Sequence, residues 1–420
     1  MTTVIDHPRR GYRTIRLPLS EADDEQFMTD GEVARAQRDG LYGQPPELFP
    51  GGWGQGYGFC GLTPASRQQG RRCRRVRLTA SEGVFTGAAA LVMPSMTASV
   101  AEVEKAVLLM RFHVPCWALA PGFGRDARYW YRLEQGLGRF RVVGTTVKAP
   151  ARLPHDVVAD EKHSRLDGEK IYIATTAAEG CILGASVADS ASEAALRQAY
   201  GVFAEEARAG EADYTPETVN TDGGAATHGA WKRVFPRITV ILCFLHAFLN
   251  LRDRATQALA ECFEPGGKTG WRAYRAPGKA AFAQRLRRRR EWAERTLPDS
   301  PMKHPTLDLC EQRAPFSCSY DQAQAHRTSN LVDRLMKFLD RAGFNAQYFH
   351  GTSASAELRV RALALLWNFC PSSPSTVKKH HGQRCPAERL NGKRYADNWL
   401  ENLLTSGSMN DLRQYQQNPL

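Results

Sequence analysis

Between Pro216 and His246 the order of residue types leaves few folds open: a strand, an acid, paired glycines, a helix, a proline, a second strand, then Cys-x-x-His. The run PETVN, Pro216 to Asn220, reads as a buried strand that delivers Asp222 into a Gly223-Gly224 turn. Small residues there let another backbone or a phosphate approach closely, and a carboxylate at that point can hold a metal ion. Trp231 and Val234-Phe235 make the apolar face of a short helix, which Pro236 ends before a second strand, Ile238 to Cys243. Cys243 and His246 then lie at the exit of that strand.

Upstream, His155–Lys162, Lys170–Ala174 and Cys181–Val187 read as three antiparallel strands in succession, with Gly168 and Gly180 at hairpin-like turns. A helix from Ser192 to Ala207 crosses from them to the strand that ends at Asp222. The fold class is therefore α/β, with a mixed five-stranded sheet. After His246 the chain turns basic and helical, and the run RLRRRR, Arg285 to Arg290, falls in this stretch. We expect a helical insertion over 251–325. Its arginines, Arg287, Arg288 and Arg289 among them, suit either a solvated helix face or phosphate contact.

The ordered set Asp222, Trp231-x-x-x-Phe235-Pro236 and Cys243-x-x-His246 resembles the DDE transposases with a ribonuclease-H-like core, in particular the Mutator-like and related bacterial insertion-sequence enzymes. The resemblance covers roughly Pro154 to Thr405. It implies the βββαβαβα order of a ribonuclease-H-like sheet and phosphoryl transfer on DNA by two divalent ions, Mg2+ or Mn2+, about 4 Å apart on three carboxylates. No organic cofactor is implied.

Asp222 is then the second acid. The family places the first at the end of the first core strand, before a Gly turn and a Lys-x-Tyr strand; Asp160, ahead of Gly168 and Lys170-Ile171-Tyr172, fits best. Asp156 shares its sheet face four residues earlier and is its competitor. The third acid belongs on a helix after the insertion, in an Asn-x-x-Glu-Arg pattern. Asn330-Leu331-Val332-Asp333-Arg334 matches with Asp for Glu, and Glu357 is the fallback. Leu331, Leu335 and Phe338 form an apolar stripe that leaves Asp333 on its flank, where the bland alternative is a surface pair with Lys337. His246 reads either as a residue near the scissile phosphate or as a core histidine. Cys243 reads as a buried small residue, since magnesium prefers oxygen ligands.

Charge bears on the partner. Lys and Arg number 56 against 44 Asp and Glu, a net charge of +12 in 420 residues, which favours a polyanion such as double-stranded DNA. Ser99 onward turns helical through Val100, Val103, Val107 and Met110, and Pro115 opens a second short helix. After Pro121-Gly122-Phe123-Gly124, a third helix carries Arg125, Arg128 and Arg132. It is either the recognition helix of a helix-turn-helix or part of a small bundle with solvated arginines. Residues 1–78, rich in Gly, Pro and Arg, read as irregular. Cys60 and Cys73 lack a partner pair for zinc, and the ten cysteines suit free thiols.

The resulting map is an irregular basic region over 1–78, a helical DNA-binding domain over 79–150, the core over 151–250 and 326–345 around the insertion, and a helical, basic tail over 346–420. In that tail Trp399 and Leu400 either pack on the core or flank DNA contacts. No segment reads as a signal peptide or membrane span, so we expect a cytoplasmic, nucleoid-associated transposase, a homodimer or higher on DNA ends and target. A catalytically inactive regulator and a structure-selective nuclease on the same fold are the competing readings. Retention of all three acids argues against the first.

Overall fold

The structure is a computed structural model that describes residues 13–411 apart from 66–69, 82, 94, 95, 97, 245, 248–267, 269, 298, 300, 301, 312 and 323. Residues 251–267, the start of the expected helical insertion, therefore lie outside the described residues.

The first unit corrects the expectation of an irregular region over 1–78. β1 (Thr14–Leu17), α1 (Glu21–Thr29), α2 (Gly31–Tyr42), β2 (Tyr57–Leu62), β3 (Arg74–Leu78) and β4 (Val84–Ala89) build a four-stranded sheet in the order β1-β4-β3-β2. Ser20 and Asp30 cap the two helices by accepting backbone N–H bonds. Phe27, Leu48, Trp53, Val76 and Leu78 form the core. The glycines behind that expectation have fixed backbone roles: Gly52 and Gly56, with φ of 83° and 111°, flank the turn before β2, and Gly61, with φ of 94°, lies within β2 where its register with β3 shifts. Strands of four to six residues are too short to show a clear period. The boundary at 78/79 falls inside the β3–β4 hairpin.

Next come α3 (Val100–Arg111), α4 (Cys116–Phe123) and α5 (Ala127–Leu137). Ser99 opens α3 through a capping box with Glu102. The main sheet follows: β5 (Asp156–Leu166), β6 (Glu169–Ala178), β7 (Cys181–Ala188), α6 (Glu193–Gly210), β8 (Thr218–Thr221), α7 (Ala225–Val234) and β9 (Thr239–Leu242). Its strand order is β7-β6-β5-β8-β9, with β5, β6 and β7 antiparallel, and β8 and β9 parallel to β5. The expected mixed five-stranded sheet is present. Gly168 and Gly180, with φ of 89° and 80°, make its two hairpin turns.

Past β9, α8 (Lys279–Thr296) and α9 (Lys303–Glu311) share a small separate core with Phe244, Phe282, Leu286 and Phe316. α10 (Asn330–Asn345) and α11 (Ser353–Phe369) then return to the main sheet, and α12 (Trp399–Ser406) ends the helices. α6 and α7 cover one face through Tyr200, Phe203 and Trp231, and α10 and α11 cover the other through Leu335, Leu339, Val360 and Leu363.

The segment 346–411 is not a tail, and residues 412–420 lie outside the described residues. α11 is buried on nearly every side from Val360 to Phe369, because it lies between the sheet and the bundle of α3, α4 and α5. Asn368 accepts from the N–H of Ile182 and donates to its carbonyl, and Glu357 accepts from the N–H of Val187 at 2.6 Å. These bonds satisfy the outer backbone of edge strand β7. Trp399 and Leu400 pack inward. The C-terminal segment also clamps the first sheet: the Met409 N–H bonds Thr14, and Asp411 pairs with Arg16 at 3.2 Å. No helix among the described residues is long and apolar enough to cross a membrane.

Candidate active site

Strand register builds the site. β5 pairs in parallel with β8 through Asp156–Thr218, Val157–Val219 and Val158–Asn220. Carried two positions further, the same register sets Asp160 beside Asp222. β8 and β9 pair up to Thr221–Leu242, so the next position sets Asp222 beside Cys243, whose N–H bonds the Thr221 carbonyl at 2.8 Å. Three chemically active side chains thus sit in a row where the parallel strands end.

Side-chain alternation separates Asp160 from Glu161. Val157 and Ala159 face α6 and α7 whereas Val158 faces α10 and α11, so Asp160 falls on the α10 side and Glu161 on the α6 side. Glu161 accepts from the Tyr200 hydroxyl at 2.5 Å and from Thr227 at 2.9 Å. β8 stops at Thr221 while β5 runs on to Leu166, which opens a gap beside β5 that carboxylates from both faces can enter. Ligand oxygens of Asp160, Glu161 and Asp222 lie within 4.8 Å of one another. Glu161 is the member that the sequence reading missed; its only signal was the Asp-Glu pair.

Asp222 leads into Gly223, at φ 108°, and its Oδ1 accepts from the Gly224 N–H at 3.2 Å. The turn is thereby fixed with the acid exposed at its mouth. Asp160 accepts from the Glu161 N–H at 2.8 Å. Among the described residues, neither Asp160 nor Asp222 has a cationic side chain in ion-pair contact. Burial first, then the charges of Asp222 and Glu161, push the Asp160 pKa up to about 7. Burial also raises Glu161, against the hydrogen bonds from Tyr200 and Thr227.

The loop before α10 is fastened to the strand ends. Asn220, fully buried on β8, donates to the His326 carbonyl at 2.9 Å, and Ser329 donates through both its N–H and its hydroxyl to the Cys243 sulfur at 3.3 and 3.2 Å. This docking sets Asp333 in the first turn of α10, where an acid also suits the helix dipole. Its Oδ1 lies 3.6 Å from His246 Nε2, and the Nδ1 of that ring bonds the Ser329 hydroxyl at 2.9 Å. The bond to Cys243 raises the His246 pKa to about 9 against desolvation, with Asp333 and Asp160 adding to the rise. Burial raises Asp333 while His246 and Lys337 lower it, and its net shift is upward. Cys243 is buried, but its hydrogen bonds to His246 and Ser329 outweigh burial and lower its thiol.

Asp160 and Asp222 thus cluster with Glu161, whereas Asp333 stands outside that 4.8 Å group and adjoins it through His246, on which both Asp333 and Asp160 act. Asp156 instead accepts from Thr218 at 2.5 Å at the far end of β5, and Glu357 lies under edge strand β7, so neither competitor joins it. Arg125, Arg128 and Arg132 are exposed at the start of α5 and along it, with Arg125 in the preceding turn, stacked on Tyr129. Arg287 and Arg288 are exposed on α8. Arg289 is only 3% exposed, packed inward on that helix, which corrects its assignment to DNA contact.

The three clustered carboxylates form an all-oxygen donor set with little cationic compensation, which fits a hard divalent ion such as Mg2+ or Mn2+ and disfavours thiolate-seeking metals. No protein-family model matches this chain, and no curated protein matches it.

Proposed function

We propose that this chain is a DDE-type DNA transposase that cuts and joins DNA strands at Asp160, Asp222 and Asp333. The observation that carries the reading is the shared register of β5 and β8, which brings two acids 62 positions apart in sequence to adjacent strand ends, with a third facing them from α10. Three antiparallel strands, a helix, a strand, a helix and a strand follow the order of a ribonuclease-H-like sheet, and a helical segment stands between the last strand and the helix of the third acid. The basic balance of the chain and the exposed arginines of α5 and α8 suit a DNA partner.

In this reading Asp160, Asp222 and Asp333 would hold the divalent ions, with Glu161 available as a further oxygen donor. Bound there, such ions would supply activation of the attacking oxygen and neutralisation of the leaving one. Gly223 keeps the approach to Asp222 open. His246, protonated at neutral pH and oriented by Ser329, puts one positive charge beside Asp333 and toward an incoming phosphate.

The test is manganese-dependent cleavage of DNA that spans the native gene and its flanks, comparing wild type with Asp222→Ala at matched DNA binding. Cuts at discrete flanking ends, lost in the variant, support the reading. Binding without cutting by either protein overturns it in favour of a regulator, and cutting of branched DNA without joining points to a nuclease.

A further inference from the structure

A second site lies at the other end of α10. A cavity of about 470 Å³ opens between the start of α4, the start of α5 and the C-terminal ends of α10 and its following turn; Trp117, Arg128, Tyr131, Asn345 and Arg359 are among its walls. Neither the strand ends nor their acids contribute to it.

Two segments border this cavity, 112–117 and 344–348, and both expose large aromatic groups. Phe112, Trp117 and Phe344 are 62%, 72% and 73% exposed. An indole left open beside a cavity that it lines is a face available for stacking. The same segments hold three non-glycine residues in the left-handed region, His113, Gln347 and Tyr348, with φ of 65°, 53° and 73°. Such a conformation persists only where the surroundings enforce it. Here the Asn345 side chain donates to the His113 carbonyl at 3.1 Å and joins the two segments.

The electrostatics of the cavity are basic. Arg128 stands exposed at the rim. Glu134, the acid in the wall, is neutralised by Arg359 at 3.3 Å. Burial, followed by Arg111, Arg341 and Arg359, pushes the His113 pKa down to about 4, so its ring is neutral at pH 7 in a positive field. The His113 Nδ1 is buried and has no hydrogen-bond partner among the described residues. An aromatic platform with the Arg128 guanidinium at its rim matches a base with its phosphate better than an aliphatic ligand, which needs no cation, or a peptide helix, which needs a long apolar strip.

We infer that this cavity receives one unpaired nucleotide of a DNA strand, with Trp117 as the stacking platform and Arg128 beside the phosphate. The inference rests on the DNA-processing reading and adds to it a contact remote from the acids. Asp333 and Asn345 lie twelve residues apart on one rigid helix, about 18 Å along its axis. That is about five steps of a duplex strand, so one DNA molecule can reach both sites.

Fluorescence anisotropy in metal-free buffer tests it, using the full chain with a duplex, the same duplex carrying one unpaired thymidine, and a single strand. Trp117→Ala is expected to weaken the two unpaired substrates by on the order of tenfold, to leave the duplex unchanged, and to be rescued by Trp117→Phe. Equal affinities for wild type and Trp117→Ala, or an equal loss for paired and unpaired DNA, overturn the inference. Free thymidine monophosphate that competes as well as the single strand overturns the strand assignment in favour of a mononucleotide site. Trp117 is largely exposed, so its replacement spares the fold, and unchanged thermal melting confirms this. Because no metal is present, failure here is distinct from failure of the cleavage reading, which Asp222→Ala decides.

Discussion

Asp160 and Asp222 stand side by side across β5 and β8, two residues beyond their last paired positions, Val158 and Asn220. The relationship is fixed by backbone hydrogen bonds and not by the carboxylates, which repel each other. A sheet that holds two acids together against their own charge has a site whose protonation and ion content control its stability.

The first prediction follows from that repulsion. The folded-state pKa of Asp160 is raised to about 7, above the ordinary value of about 3.9, so the folded protein binds more protons than the unfolded chain between those values. In metal-free protein, Asp160 therefore destabilises the fold increasingly as pH rises from about 4 to 7. Asp160→Asn should be more stable than wild type at pH 8 by at most about 4 kcal/mol, less after screening by salt, and the difference should shrink toward pH 4. Magnesium should narrow or reverse the difference at pH 8 by stabilising wild type alone. Urea unfolding with and without magnesium measures both; a wild type that gains on the variant as pH rises without metal would contradict the assignment.

Glu161 gives the second. Its carboxylate takes hydrogen bonds from Tyr200, which is buried, and from Thr227. Tyr200→Phe leaves a desolvated acid short of a donor and should cost about 1–3 kcal/mol. In a double-mutant cycle with Glu161→Gln, the two losses should fall short of additive by about 1 kcal/mol. Strict additivity in chemical denaturation would mean that the pair does not act as a unit.

How far the sequence carried the fold is seen at particular residues. The strand that delivers Asp222, the Trp231–Phe235 helix and the glycine hairpins were legible because period, turn chemistry and a helix-ending proline agreed there. The first sheet was not, since its strands are short and its glycines sit in turns and at a strand irregularity that look irregular in one dimension. α11 fell in the segment expected as a helical, basic tail, yet its polar members Glu357, Arg361 and Asn368 point into protein to satisfy an edge strand, Glu206 and backbone carbonyls. Periodicity cannot tell a solvated polar group from one with a buried partner. Glu161 was hidden for a related reason: strand alternation turns it away from Asp160, and only the early end of β8 lets its oxygens return. Arg289 looked like its neighbours in a charge run, and only the packing of α8 turns it inward.

That last contrast supplies the third prediction. Replacing exposed Arg287 and Arg288 together by Ala should leave thermal stability unchanged and reduce the slope of log affinity for DNA against log salt by about 2, about 1 for each lost phosphate contact. Arg289→Ala should do the reverse, lowering the melting temperature with the salt slope intact, because it removes a packed side chain. Anisotropy titrations at several salt concentrations beside a thermal melt separate the two. Equal salt slopes for wild type and the double variant would assign those arginines to a solvated face.

The fourth prediction asks whether the helices before the sheet can act as a separate domain. Gly138 caps the C-terminus of α5, and a Cβ placed there would lie 1.8 Å from the Leu358 carbonyl oxygen of α11, which is backbone that cannot swing away. The Arg361 guanidinium bonds the Gly138 and Phe140 carbonyls beside this crossing and pairs with Glu206 on α6. α5 is thus joined to the helix that also covers the main sheet. Gly138→Ala should destabilise the whole chain by about 3 kcal/mol or more and lower a single cooperative transition seen alike by circular dichroism and tryptophan fluorescence. Gly136→Ala, one position inside the helix and with open space around its Cβ, should instead stabilise by about 0.5–1 kcal/mol. If Gly138→Ala moved only an early, partial transition while the remainder melted as in wild type, the helices over 100–137 would be an independent unit, and a freely moving DNA-binding domain would regain its place. A single shifted transition would mean that any DNA bound at Arg125, Arg128 and Arg132 is held rigidly relative to the acids, so that spacing on the DNA would be set by the fold and not by a linker.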